Sequence, residues 1–139
     1  MDAVTAGKLI ELNHQFYQTF GGEFSSTRGR LQPGVRRMVE NLEGSERILD
    51  LGCGNGNLAR ELVKRGHRGT YLGLDFSLPL LQAAESDLEN LTATFQQADI
   101  TSTDWDAGFP EASFNIVYAF AVLHHIPGEE IRLRLLRKI

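Results

Sequence analysis

Cysteine is nearly missing from this chain: Cys53 is the single one among 139 residues. One thiol permits neither an intrachain disulfide nor a cysteine metal cluster, which excludes a secreted disulfide scaffold and points to a reducing, cytoplasmic setting. Long apolar runs are missing as well. No stretch approaches the roughly 18 residues that a membrane helix needs, and Met1 to Lys8 is not followed by the apolar segment of a signal peptide. Basic charge is not in excess either. Fourteen Lys and Arg against eighteen Asp and Glu leave a formal net charge of −4, so no overall field favours nucleic acid and the partner stays open. At 42% hydrophobic and 23% charged residues, the composition is that of one globular domain, burying about two-thirds of the surface its unfolded chain exposes.

What is present is organised around Ile48-Leu49-Asp50-Leu51-Gly52-Cys53-Gly54-Asn55-Gly56. A short apolar run closes on glycines at alternate positions, and Leu58, Ala59, Leu62 and Val63 then recur at helical spacing. This predicts strand, tight loop and helix. A glycine has no Cβ to obstruct a bound molecule, and the following helix start offers free N–H groups, so a nucleotide-like ligand is the first expectation.

Upstream, Leu9, Leu12, Phe16 and Phe20 recur at three- and four-residue steps, predicting a helix from Ala6 to Phe20 with these residues as its core face, stopped by Gly21-Gly22. Phe24 to Gln32 reads as a loop. Pro33 opens a second helix that carries Val35, Met38, Val39 and Leu42 on one side and ends by Gly44. Downstream, Tyr71 to Asp75 predicts a second strand. Ser77 caps a helix with Leu80, Leu81, Ala84 and Leu88 inward. Thr94 to Ala98 predicts a third strand, followed by Asp99, and Phe114 to Phe120 a fourth, before a last helix. Short apolar strands alternating with helices imply an α/β fold, a Rossmann-like doubly wound parallel sheet with right-handed crossovers. Residues 1–44 read as a helical cap or lid, and 45–139 as the N-terminal part of the α/β domain.

In such sheets the ligand lies beyond the carboxyl ends of the strands, where the strand order reverses, and Asp75 and Asp99 end neighbouring strands at that rim. An acid about twenty residues past a glycine turn suits the two hydroxyls of a ribose. Those features alone fit a nicotinamide dinucleotide nearly as well as another adenosine ligand. Three details narrow the choice. The turn is Gly52-x-Gly54-x-Gly56, Asp50 stands two residues before it, and Asp99 follows the third strand.

Together with Gly73-Leu74-Asp75, Gln97-Ala98-Asp99-Ile100, Phe109-Pro110, Phe114-Asn115-Ile116-Val117 and Val122-Leu123-His124-His125-Ile126, the glycine stretch resembles the class I S-adenosylmethionine-dependent methyltransferases. The resemblance implies S-adenosylmethionine as cofactor. Gly52, Gly54 and Gly56 would wrap its methionine part, with Asp50 reaching the ammonium group through water. Asp75 would bind the ribose hydroxyls, Phe76 would lie against the adenine, Asp99 and Ile100 would contact its edge, and the Ala119 carbonyl would sit near the sulfonium. The flanks, Phe24 to Arg28 and Ala121 to His125 with Glu129 to Arg132, are similar to the tRNA wobble-uridine carboxymethyl methyltransferases. That family departs from this chain around Arg30 to Gly34. The methyl acceptor implied is thus a tRNA carboxylate or a small molecule. A nicotinamide-dependent oxidoreductase and a non-catalytic cofactor-binding domain are the rival classes. Since that family's fold has seven strands, the chain also reads as truncated after the fourth, which would leave that strand as an apolar edge open to self-association.

Each candidate has a plainer reading. Cys53 inside a glycine turn serves packing rather than nucleophilic chemistry. His124 and His125, if extended, point to opposite sides, so a shared metal is not expected, and one of them contacts substrate as the catalytic candidate. Arg28 either clamps a cofactor or substrate carboxylate or is a solvated loop residue. Tyr17 is either a lid residue or the edge of the first helix's core face. The cluster Arg132, Arg134, Arg137 and Lys138 reads as a wet helix face rather than an RNA patch.

Overall fold

The structure, a computed structural model, describes residues 1–139 apart from Arg28 and Asp87 and the side chains of Phe24 and Thr27. In chain order the elements are α1 (Ala3–Thr27), α2 (Pro33–Glu40), β1 (Arg47–Leu51), α3 (Asn57–Lys64), β2 (Thr70–Asp75), α4 (Leu78–Ala84), β3 (Thr92–Gln97), β4 (Ile116–Tyr118), a 3-10 turn at Leu123–His125, and α5 (Glu129–Leu136). The four strands are all parallel, in the order β3-β2-β1-β4. The chain thus builds outward from β1 to β3 on one side and then returns to place β4 on the other. The order reverses between β1 and β4, the place where a doubly wound sheet opens a crevice.

Alternation along β1 sends its side chains to two cores. Ile48 joins Val39, Leu58, Leu62 and Tyr71 on one face, while Leu49 and Leu51 join Leu74, Trp105 and Leu135 on the other. Both faces of β1 are covered, which is why this central strand is buried from Ile48 to Leu51, whereas the edge strand β3, Thr92–Gln97, alternates apolar and polar residues. Ser77 caps α4 as expected, its hydroxyl accepting from the Leu80 N–H at 3.5 Å.

Several boundaries differ from the sequence reading. α1 does not stop at Gly21-Gly22 but runs on to Thr27, across much of the expected loop. The reason lies in packing: a Cβ on Gly21 would stand 2.8 Å from Ser77 Oγ and 3.3 Å from Leu80 Cγ. That glycine permits the close approach of α1 to α4 and is not a stop signal. The expected core face of α1 is turned outward, with Leu12 60%, Phe16 48% and Phe20 46% exposed. Met38 of α2 is likewise exposed. α4 ends at Ala84, so Leu88 packs from the segment beyond it. β3 begins and ends slightly early, at Thr92 and Gln97. β4 has three residues where seven were expected. Asn115 is occupied before it, giving its N–H to the Arg47 carbonyl and accepting the Arg47 N–H on its side chain. After Tyr118 the chain leaves the sheet toward the crevice.

Candidate functional site

The glycine loop is fastened to the end of β2. The N–H groups of Gly52 and Cys53 both reach the Leu74 carbonyl, at 2.7 and 3.0 Å, and the Gly54 N–H reaches Asp75 Oδ2 at 2.9 Å. Asp75 Oδ1 accepts from the Ser77 N–H at 2.9 Å. One carboxylate thereby ties the β1 turn, the β2 terminus and the start of α4 into a single unit. Gly52 adopts φ +72°, and a Cβ there would lie 2.6 Å from Val122 Cγ2, so no other residue fits. Gly54 also has positive φ, but its Cβ would meet nothing within 4 Å. The first glycine brings the chain after β4 close, and the second leaves room on the cavity side.

Behind the loop Asp50 is buried, accepting a 2.6 Å hydrogen bond from the Tyr71 hydroxyl. Burial, with the neighbouring Asp75 carboxylate adding to it, pushes Asp50 up to about 7, against the pull of Tyr71. Asp75 is raised too, again by burial, although the amides of Ser77, Gly54 and Phe76 favour its charged form. Among the described residues these two acids are supported by hydroxyl and amide donors and not by a basic side chain. The Cys53 thiol beside them is raised by burial and by both acids, which keeps it protonated and suits the packing role.

These groups face a cavity of about 490 Å³, in the usual range for small-molecule sites. Asp50, Gly52, Gly54, Asp75, Phe76, Asp99 and Ile100 all line it, as do Tyr17, His124 and His125. Gly56 and Ala119 do not: Gly56 packs against Ala84, and it is Phe120, Ala121 and Val122 after Ala119 that form the wall. Arg28 lies outside the described residues. Asp99 Oδ1 is held by the Thr101 N–H and hydroxyl at 2.9 and 2.6 Å. His124 and His125 are not extended. They share the 3-10 turn, with ring centroids 4.0 Å apart, because the turn winds them to neighbouring directions. Tyr17 Oη lies 3.2 Å from His125 Nε2, which makes it part of the cavity wall. Among the described residues no three His, Cys, Asp or Glu side chains converge as metal ligands.

α1 spans this mouth. Asn13 Nδ2 donates to the His125 carbonyl at 2.8 Å, Gln18 to the Phe76 carbonyl at 3.2 Å, and Ser77 Oγ to the Tyr17 carbonyl at 2.9 Å. Asn55 Nδ2 reaches Ser25 Oγ at 3.0 Å. Its inward residues, Ile10, Asn13, His14 and Tyr17, stand at three- and four-residue spacing. Sequence reasoning passed over Asn13 and His14. Their stripe is as periodic as the apolar one beside it, and that was the available signal.

A parallel sheet with a glycine turn at its switch point and acids at the ends of the two neighbouring strands β2 and β3 defines a nucleotide-type α/β domain. A family model described as a methyltransferase domain matches residues 48–139. The protein belongs to this family. It is 29% identical over 126 residues to a tRNA (carboxymethyluridine(34)-5-O)-methyltransferase of Arabidopsis thaliana, covering 91% of this chain and 28% of that protein. It is 37% identical over 86 residues to a trans-aconitate 2-methyltransferase of Methylobacterium nodulans, covering 62% and 31%. Among solved structures, an S-adenosylmethionine-dependent methyltransferase from Mesorhizobium loti matches with TM-score 0.58 and 29% identity, over 76% of this chain and 45% of that one. The chain thus spans less than half the length of these relatives. Among the described residues no helix is long and apolar enough to cross a membrane.

Proposed function

We propose that this chain holds S-adenosylmethionine in the α1-covered cavity and directs its methyl group to a carboxylate oxygen. The observation that carries the cofactor half is the pair Asp50 and Asp75. A buried acid and a partly buried one, without a basic partner among the described residues, make a site for a ligand that brings positive charge and hydroxyls. They disfavour a dinucleotide, whose pyrophosphate would lie against the same turn as Asp50. When bound, the cofactor supplies an electrophilic methyl on a positive sulfur. Asp75, already positioned by the amides of Gly54, Ser77 and Phe76, would take the ribose hydroxyls. Asp50 would serve the ammonium group. Phe76 offers a flat face and Asp99 an acceptor beside it, which together match the face and the amino group of adenine.

The acceptor half rests on the relatives. The names of the Arabidopsis and Methylobacterium proteins both specify a carboxylate-bearing acceptor, one in a tRNA nucleoside and one in a small acid. A carboxylate is already anionic at neutral pH and needs no general base. Its lone pair displaces the sulfur in line, the C–S electrons stay on sulfur, and an ester and a thioether result. Two opposite charges vanish in this step, so an enclosed cavity favours it over water. Aligning the two partners is the main service of the protein, worth up to ~7–11 kcal/mol in ideal cases. His124, His125 and Tyr17 stand where the acceptor would enter, and they act as its positioning donors. The setting is cytoplasmic, in keeping with the single buried thiol.

Calorimetric titration with S-adenosylhomocysteine and, separately, with NAD tests the cofactor, and binding of NAD alone would overturn it. Labelled methyl transfer to bulk tRNA and to small organic acids tests the acceptor. A methyl ester releases volatile methanol in alkali, whereas label that survives alkali would exclude a carboxylate.

A further inference from the structure

His14 lies on Phe76. The two rings are parallel within 9°, with centroids 3.4 Å apart, and His14 Nε2 points to Asp99 Oδ1 at 3.9 Å. Rings in van der Waals contact leave no layer between them for a third. The imidazole therefore holds the two contacts that a purine would need on this side of the cavity: the face of Phe76 and the carboxylate of Asp99. It is also aimed by its own helix, since the Asn13, Tyr17 and Gln18 tethers fix α1 on either side of it.

We propose that His14 is a built-in occupant of the nucleobase subsite, one that S-adenosylmethionine must displace in order to bind. The inference rests on the cofactor reading above and adds to it a residue that sets cofactor affinity. Because the tethers on α1 use main-chain carbonyls of Phe76, Tyr17 and His125, the helix stays docked while the His14 side chain swings about its own χ angles. The side chain is partly open to solvent, at 20% exposure, so it has somewhere to go. Removing the imidazole leaves Phe76 and Asp99 in place and removes the competition. The chain thus carries a brake on cofactor binding inside the site.

The test is calorimetry with S-adenosylhomocysteine on the chain itself, His14→Ala and His14→Phe, with the His14 ring-proton signals of the unsubstituted chain followed by NMR. We expect His14→Ala to bind about three- to tenfold more tightly, the range of one aromatic stack. His14→Phe, which keeps the stack, binds no more tightly than the natural chain. The His14 ring protons move downfield on saturation as they leave the Phe76 face. Equal or weaker binding by His14→Ala, or unmoved His14 signals in a saturated sample, overturns the role of His14 and leaves the cofactor reading standing. No binding by any of the three chains, each with native circular dichroism, overturns the cofactor reading and this inference with it.

Discussion

The corner formed by β1, its glycine loop and β2 and the long helix α1 both face the same cavity, yet they were legible to very different degrees. In the corner, each direction follows from short-range rules. Alternation sends Leu49 and Leu51 one way and Ile48 the other, the glycines must take positive φ, and Asp75 ends β2 where amides await it. In α1 the periodicity named a helix correctly but assigned its faces wrongly. Beneath this helix lies an open cavity and not a close-packed core, so Ile10, Asn13, His14 and Tyr17 go inward while Leu12, Phe16 and Phe20 stay in water. An apolar stripe marks a helix; its direction depends on what the helix covers.

The contrast can be broken by substitution, and the largest effect is expected in the corner. Asp75→Ala removes the ribose acceptor and the anchor of the Gly54 amide together, and we expect S-adenosylhomocysteine affinity to fall at least ~100-fold, two charged hydrogen bonds being worth about 1.5–3 kcal/mol each. Unchanged affinity in a titration would remove Asp75 from the site. Next, Gly52→Ala combines a left-handed backbone with a Cβ driven into Val122. It should cost ~2–4 kcal/mol in urea denaturation, whereas Gly54→Ala, with the same backbone penalty and no clash, should cost only ~1 kcal/mol. Equal losses would show that the approach of Val122 is unimportant.

Asp50 sharpens the comparison through pH. Its folded pKa of about 7 lies above the ordinary 3.8, so ionising it opposes folding. The penalty is absent below the ordinary value, grows as pH rises toward 7, and is complete above it. Asp50→Asn keeps an acceptor for Tyr71 and removes the charge. Relative to the natural chain it should gain stability between pH 5 and 8, by about 1–3 kcal/mol at the upper end, while losing cofactor affinity there. A constant difference across this range, in thermal melts at several pH values, would contradict the raised pKa. The smallest effect belongs to α1: Leu12→Lys and Phe16→Lys should each change stability by less than ~0.5 kcal/mol, against about 2–5 kcal/mol for Leu62→Ala in the core. A large loss at Phe16 would return it to a core.

The site itself divides in the same way. Asp50, Gly52, Gly54, Asp75, Phe76, Asp99 and Ile100, some named from the glycine turn and strand ends and the rest from the family resemblance, do share one cavity, since each is tied to the end of a parallel strand. Gly56 and Ala119, named with them, do not line this cavity. His124 and His125 were read as extended, but a 3-10 turn after β4 changes their relation. No local rule distinguishes a strand that ends at Tyr118 from one that ends at Phe120. That difference is made by Ala121 at positive φ and Val122 packed on Gly52, more than sixty residues away in sequence.

What the sequence determined by itself was therefore the periodic and the steric: strands, helices, the glycine turn, and acids at fixed distances from it. Backbone geometry and burial act over a few residues and are written in residue type. Only the tertiary structure decided which face of α1 looks inward, that Gly21 is a contact point rather than a stop, and that His14 rests on Phe76. Each of these depends on a surface supplied by a distant segment, and a residue's own neighbours carry no record of it.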